Sequence, residues 1–412
     1  MDPFDLNLRH LRALDLLIRL GSVKAAADAI GLSQPALTLG LAKLERQLGR
    51  RLFDRRPDGI APTADGLSMA ARAVAAFDQL GRGARSAFKV RARAFARPEH
   101  LMTAAQMRAF LAVANHGSFA AAAASTGLSQ PAVHRAVRDL EEIGQAALAV
   151  RRGRTVQLTT AGRHMARGVR LAAAEIAAGI VDLEDDTGDG WSGGSGGGSG
   201  SGTGRIVVGS MPLARARVLP AAIAAYQREP LRTTITIVEG AWRELVEPLT
   251  DGVIDLMVGA LRSDVPPGLE QRPLFEDRLV VVARAGHPLR DTVPTLDTLR
   301  RYPWIVAPFG APLRDQWDRM FAGGPMPASP IECGSTLVMR GVLADSDLLT
   351  LLSPDQVAVE IAAGILVQIG APLPQTIRTV GLTMRAGWRP TAAQARFVSL
   401  LEAAATPGPQ QF

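Results

Sequence analysis

The block Gly-Leu-Ser-Gln-Pro-Ala occurs twice, at Gly31–Ala36 and at Gly127–Ala132, and each time side chains suited to a polyanion follow it. After the first block come Thr38, Lys43 and the pair Arg55-Arg56; after the second come His134, Arg135, Arg138 and the pair Arg151-Arg152. Ser33 and Ser129 stand where a helix N-cap belongs, and Pro35 and Pro131 fall in the first turn, where a missing N–H costs nothing. Gln34 and Gln130 therefore sit at a helix N-terminus, the part of a recognition helix that meets base edges. An arginine on such a helix can contact guanine in two places, worth about 1–3 kcal/mol of discrimination, whereas Leu39 can only touch a thymine methyl. This is the chemistry of recognition. Motifs for catalysis do not occur: there is no P-loop, no Gly-x-Ser-x-Gly and no metal-spaced cluster among the six histidines. Cys333 is the single cysteine, which leaves neither an intrachain disulfide nor a thiolate metal site. We expect no enzyme, no cofactor and no metal.

Charge supports a polyanion. Residues 1–184 carry 26 Lys+Arg against 16 Asp+Glu, residues 185–204 none against 3, and residues 205–412 carry 20 against 20. All the net positive charge therefore lies in the first half, which points to nucleic acid or a membrane surface. The basic residues do not oppose a broad apolar helix face, which disfavours the membrane. No apolar run reaches the roughly 18–20 residues that span a bilayer, and MDPFDLNLRHLR lacks the apolar core of a signal peptide. The expected location is the cytoplasm.

The elements that would position these side chains are themselves repeated. Gly21–Glu45 aligns without a gap on Gly117–Glu141 at an offset of 96 residues, with 13 of 25 positions identical. Each copy opens with an amphipathic helix, Leu8, Leu11, Leu14, Leu17 and Ile18 in one and Met107, Phe110, Leu111 and Ala114 in the other. A second helix at residues 24–30 and 120–126 ends at Gly31 or Gly127, suited to the C′ position, and the Ser-Gln-Pro helix follows. Two helices joined in this way form a helix-turn-helix, a corner that also occurs in bundles that bind no DNA. The arginine pairs suit a wing beside the phosphate backbone, or a merely solvated turn. Helices beginning at Thr63 and Thr159 then carry apolar seams, Ala166, Val169, Ala173, Ile176, Ile180 and Leu183 in the second and Leu67, Ala70, Val74 and Phe77 in the first, the latter weakened by Gly81 and Gly83. Both need a partner helix. Residues 188–204, nearly pure Gly and Ser, read as a flexible linker and a domain boundary, an engineered scar being the alternative.

Beyond it, RIVVGS, TTITIVEG and DLMVGAL alternate with helical stretches, which implies an α/β sheet. Together these segments resemble a LysR-type transcriptional regulator whose DNA-binding module is present twice. Residues 8–66 match that module's pattern nearly end to end; the second copy departs from it after Glu142, so the better wing is expected in copy one. The family usually has a polar pair after the Ser-Gln-Pro block. His134-Arg135 fits it and Thr38-Leu39 does not, so copy two is expected to carry more of the base readout there.

The resemblance implies a multidomain α + α/β protein: two winged helix-turn-helix domains with linker helices, at 1–94 and 98–186, a linker at 187–204, and a two-lobed α/β effector domain like type 2 periplasmic binding proteins. Lobe I is placed at 205–283 and 378–405, and lobe II at 284–377. It implies an effector between the lobes, lined by Ser210, Met211, Glu239, Trp242, Pro308, Phe309, Arg314 and Ser335, each of which also has a plain reading as a cap or core contact. Arg314, with only Asp315 as an acidic neighbour in its loop, would suit an effector carboxylate. The segments around DRLVVVARAGHPL and RRYPWIVAPFGAPLR resemble regulators of aromatic-acid and sugar-uptake genes, which suggests an aromatic or sugar-derived acid. The implied partners are double-stranded operator DNA, RNA polymerase and a second copy of the chain, as a homodimer or higher homo-oligomer. We expect the two copies to pair inside one chain as a pseudo-dimer, although one copy could have lost DNA binding and serve only for pairing. The competing function is a ligand-binding scaffold whose helical repeats bind protein.

Overall fold

The computed structural model describes residues 1–56, 59–88, 97–153, 155–185, 204–229 and 233–406. The Gly/Ser linker, apart from Gly204, lies outside them, as do Pro57, Asp58 and Arg154 of the two wing tips.

The first head comprises α1 (Leu8–Leu20), α2 (Val23–Ile30), α3 (Gln34–Leu48), the hairpin β1 (Phe53–Arg56) and β2 (Gly59–Pro62), and the long α4 (Ala64–Ala87). The second repeats it as α5 (Ala104–His116), α6 (Phe119–Thr126), α7 (Gln130–Gly144), β3 (Ala149–Arg152), β4 (Thr155–Leu158) and α8 (Thr160–Asp185). Side-chain oxygens cap both recognition helices: Ser33 Oγ accepts from Ala36 N and Ser129 Oγ from Ala132 N, each at 3.3 Å. Gly31 and Gly127 end the preceding helices in the left-handed region, both at φ 69°, which lets the chain turn the corner without a Cβ penalty.

α4 runs antiparallel to α8. Gly83 lies against Gly168, Met69 lies against Gly179, and His164 Nδ1 sits 3.2 Å from the Ser86 carbonyl. The glycines expected to weaken α4 do not interrupt it. Gly83 is needed for the approach, because a Cβ there would lie 2.7 Å from the Gly168 Cα. The pair is sealed by one continuous apolar core that runs from Leu6 and Leu11 in copy one to Val137 and Leu183 in copy two.

The remaining elements are β5 (Arg205–Ser210), α9 (Val218–Tyr226), β6 (Thr234–Glu239), α10 (Trp242–Thr250), β7 (Leu256–Ala260), β8 (Leu269–Asp277), β9 (Val280–Arg284), α11 (Leu296–Arg300), β10 (Ile305–Val306), α12 (Pro312–Phe321), β11 (Ile331–Glu332), α13 (Thr336–Ala344), β12 (Thr350–Leu352), α14 (Pro354–Ala362), β13 (Leu366–Ile369), β14 (Arg378–Arg385) and α15 (Ala392–Ala405). They form two lobes. One sheet has the order β6-β5-β7-β14-β8, with β5 parallel to β6 and β7 and with β14 antiparallel to β7 and β8. The other centres on β9 between antiparallel β12 and β13, with parallel β10–β11 nearby. β9 thus belongs to the second lobe, which corrects the expected division at 283/284: the chain crosses between Asp277 and Val280. The assignment follows from pairing, since Val280–Arg284 hydrogen-bond to β12 on one side and β13 on the other.

The helix pair rests on the first lobe. Arg167 Nε meets Asp251 at 2.6 Å, Leu171 packs against Gly252, and Arg389 donates to the Ala71 carbonyl at 2.9 Å. Among the described residues no helix is long and apolar enough to cross a membrane.

Two measurements test this packing. Gly168→Val would press on backbone that cannot yield, with its Cβ 2.8 Å from the Gly83 Cα and 3.1 Å from the Gln79 carbonyl oxygen. It should cost about 1–3 kcal/mol and lower the thermal midpoint, whereas Gly323→Ala, which meets nothing within 4 Å, should leave it unchanged. His100, packed edge-on to Phe77, has its pKa pushed down to about 4 by burial and then by Arg12 and Arg97. A base with a depressed folded pKa resists charging, so its share of stability is complete above its ordinary 6.5 and is lost as pH falls from there to about 4. His100→Gln should flatten the midpoint-versus-pH curve in that window.

Candidate nucleic-acid interface and effector cleft

Each recognition helix offers solvent one continuous strip. On α3 it is Gln34, Pro35, Thr38, Leu39 and Ala42; on α7 it is Gln130, Pro131, His134, Arg135 and Arg138. The residue types at matched positions make the strips unlike. The Thr38 hydroxyl donates to the Gln34 carbonyl at 3.0 Å, which occupies its hydrogen, and Leu39 is 69% exposed. Arg135 and Arg138 are exposed, and the His134 ring stacks on Phe119 with centroids 3.7 Å apart. Lys43, Arg55, Arg56, Arg151 and Arg152 are also exposed, and Arg151 Nε donates to the Gly153 carbonyl at 3.2 Å. The expected side chains of each head are thus at least partly exposed on its Ser-Gln-Pro helix and on its wing.

The divergent sequence after Glu142 does not alter the second wing. Phe53 pairs with Pro62 and Ala149 with Leu158, the same register displaced by the repeat offset. Sequence reading missed the residue that fixes both hairpins. Glu45 Oε1 accepts from Leu52 N and Phe53 N at 2.9 and 3.2 Å, and Glu141 Oε1 accepts from Leu148 N and Ala149 N at 2.8 and 3.2 Å. Its signal was present as an identity at the end of the repeat. Divergence is visible instead at the helix end: Gly49 (φ 66°) terminates α3, whereas Gln145 (φ 47°) occupies the same position after α7.

In the C-terminal part, the expected lining residues fall in two groups, at strand ends and at the starts of the helices that follow. In the first lobe Ser210 and Met211 are buried at the end of β5, and Glu239 ends β6. Arg215, not singled out from sequence, binds the Ser210 carbonyl at 3.0 Å and Glu239 at 3.0 Å. Ser210 Oγ is buried without a hydrogen-bond partner among the described residues. Trp242 packs with the apolar cluster of Val207 and Leu245, and Arg262 lies over its ring.

In the second lobe Pro308 and the 88% exposed Phe309 follow β10, and Ser335 caps α13. Arg314 is not the unpaired cation that its loop suggested: Asp318 at 3.0 Å, one helical turn on, and Glu332 at 3.7 Å, from β11, hold it. A ligand carboxylate there would have to compete with two in place. The lobes are tied by Arg217–Asp355 at 2.8 Å and by Asp277, which accepts from Ser353 Oγ at 2.6 Å and pairs with Arg378 at the hinge. Among the described residues no group of three or more His, Cys, Asp or Glu could hold a metal.

The strain at Gln145 gives a direct test. Gln145→Gly should stabilise the protein by about 1 kcal/mol by relieving a left-handed residue with a Cβ, read as a higher thermal midpoint.

Comparison with known proteins gives two family matches. Residues 199–406 match the family described as LysR substrate binding domain, and residues 8–67 and 104–163 each match the bacterial regulatory helix-turn-helix protein, lysR family. The HTH-type transcriptional regulator GalR of Pseudomonas putida is 32% identical over 384 residues, 92% of this chain and 93% of its own. The HTH-type transcriptional regulator PcaQ of Agrobacterium fabrum is 28% identical over 291 residues, 69% of this chain and 89% of its own. Among solved structures, ArgP from Mycobacterium tuberculosis is 21% identical, with a TM-score of 0.56 over 73% of this chain and 96% of that one. LysG from Corynebacterium glutamicum, with bound effector Arg, is 18% identical, with a TM-score of 0.52 over 75% and 98%. These two likenesses concern the fold.

Proposed function

The chain belongs to the LysR family of transcriptional regulators, and we propose that its two heads read two unlike half-sites of one operator while a small molecule between the lobes sets the outcome. The observation that carries this reading is the pair of exposed strips, each on an N-capped helix and both held on one core. The head with Arg135 and Arg138 suits a half-site with guanine, and the head with Thr38 and Leu39 suits one with thymine methyls. Lys43 and the wing arginines 55, 56, 151 and 152 would meet phosphates and set register rather than sequence.

The effector cleft would use the strand ends and the helix N-terminus at Ser335, where free N–H groups favour an anion. Ser210 Oγ is a group that a ligand could satisfy, and Arg215, though paired with Glu239, is a cation beside it that bonds the Ser210 carbonyl. An aromatic or sugar-derived acid remains the class we favour. The protein would work in the cytoplasm by binding rather than by turnover, as a dimer or larger assembly, with RNA polymerase as a further partner.

Footprinting on the DNA beside its own gene should show protection that weakens by orders of magnitude between about 50 and 200 mM salt. Arg135→Ala should cost about 1–3 kcal/mol and relax specificity at one position of one half-site only. Gln34→Ala and Gln130→Ala should each weaken a different half-site. Loss from only one of them would mean that the other head serves pairing alone, and no footprint at low salt would favour the protein-binding scaffold.

A further inference from the structure

We infer that a buried charge cluster on the long helices forces each head to pair with the unlike head and never with its own kind. Arg72 on α4 has a side chain only 6% exposed. Its guanidinium meets Asp182 at 2.8 Å and Glu175 at 3.1 Å, both on α8, and donates to the Arg389 carbonyl at 2.8 Å. Room for its stem is made by Gly179, where a Cβ would lie 3.1 Å from the Arg72 Cβ.

The repeat offset shows what the other combinations would lack. The copy-two counterpart of Arg72 is Gly168, and the copy-one counterparts of Glu175 and Asp182 are Gln79 and Ser86. Two α4 helices packed in this antiparallel register would bury two arginines facing Gln79 and Ser86, with no carboxylate. Two α8 helices would leave two Glu175–Asp182 pairs, each opposite Gly168 where α4 supplies Arg72. A buried charge without its partner is strongly unfavourable, so both like pairings are penalised while the unlike pairing is fully satisfied. A polar group that selects one pairing at some cost in stability is a known device in helix pairs. At the opposite end of the seam the two glycines meet, so the two ends of the contact are not interchangeable. The partner of α4 is therefore α8. Because Arg72 also binds the loop at Arg389 of the first lobe, the pair docks in one orientation only.

The test uses the full chain with Cys333→Ser, and with Ser86→Cys and His164→Cys to report the α4–α8 contact through a short bis-thiol cross-linker. The parent should yield a cross-linked species of monomer mass. Arg72→Glu should lower that yield at least tenfold, and adding Glu175→Arg should restore it to within threefold. An unchanged yield in Arg72→Glu, or no recovery in a folded double variant, would overturn the inference. Should Arg72→Glu not fold, the neutral set Arg72→Met, Glu175→Gln and Asp182→Asn decides. It should keep the thermal midpoint within a few degrees and lose at least half of the monomer-mass product. If it cross-links as completely as the parent, the tether alone sets the pairing and the inference fails.

Discussion

The antiparallel contact between α4 and α8 is the constraint on which the rest depends. It is made where Gly83 meets Gly168 and it is closed by Arg72 between Glu175 and Asp182. Each head is too small to bury a generous core of its own, and the long helices carry apolar faces with no use for solvent. Joining them completes one core that serves both heads, and it fixes the two recognition helices as parts of a single body. The same helix pair rests on the first lobe through Arg167, Leu171 and Arg389. A change in the lobes therefore bears on the body that carries both heads.

Much of this was legible in the sequence because it rests on local rules. The Ser-Gln-Pro caps, the C′ glycines and the repeat offset locate two helix-turn-helix units without any tertiary knowledge. The apolar seams predict that the long helices seek a partner. The α/β alternation predicts the class of the C-terminal part but not the lobe of β9, which the structure places in the second sheet. A strand buried on both faces looks the same in either sheet.

What was not legible depends on distance across the fold. Gly81 and Gly83 read as helix weakeners because propensity counts glycine as a loss, yet α4 runs through both, and Gly83 lies against Gly168 where a Cβ would not fit. Arg314 read as unpaired because its partners are one helical turn away at Asp318 and on another strand at Glu332. Glu45 and Glu141 read as ordinary helix charges until the wing backbone folded onto them. Divergence after Glu142 suggests a changed wing, but the hairpin is set by Glu45 or Glu141 and by the close approach of Gly66 to Leu52 and of Gly162 to Leu148, which both copies keep.

Two recognition helices in one polypeptide also change what a single mutation can do. In a protein whose half-site readers come from identical subunits, any altered base contact is imposed on both halves of the operator together, so an intermediate must lose affinity twice before a matching DNA change can restore it. Here Thr38 and Arg135 are separate codons for equivalent positions. With each helix reading its own half-site, as proposed, either half-site could drift alone while the other holds the protein on its DNA, which would make stepwise retargeting available to this architecture.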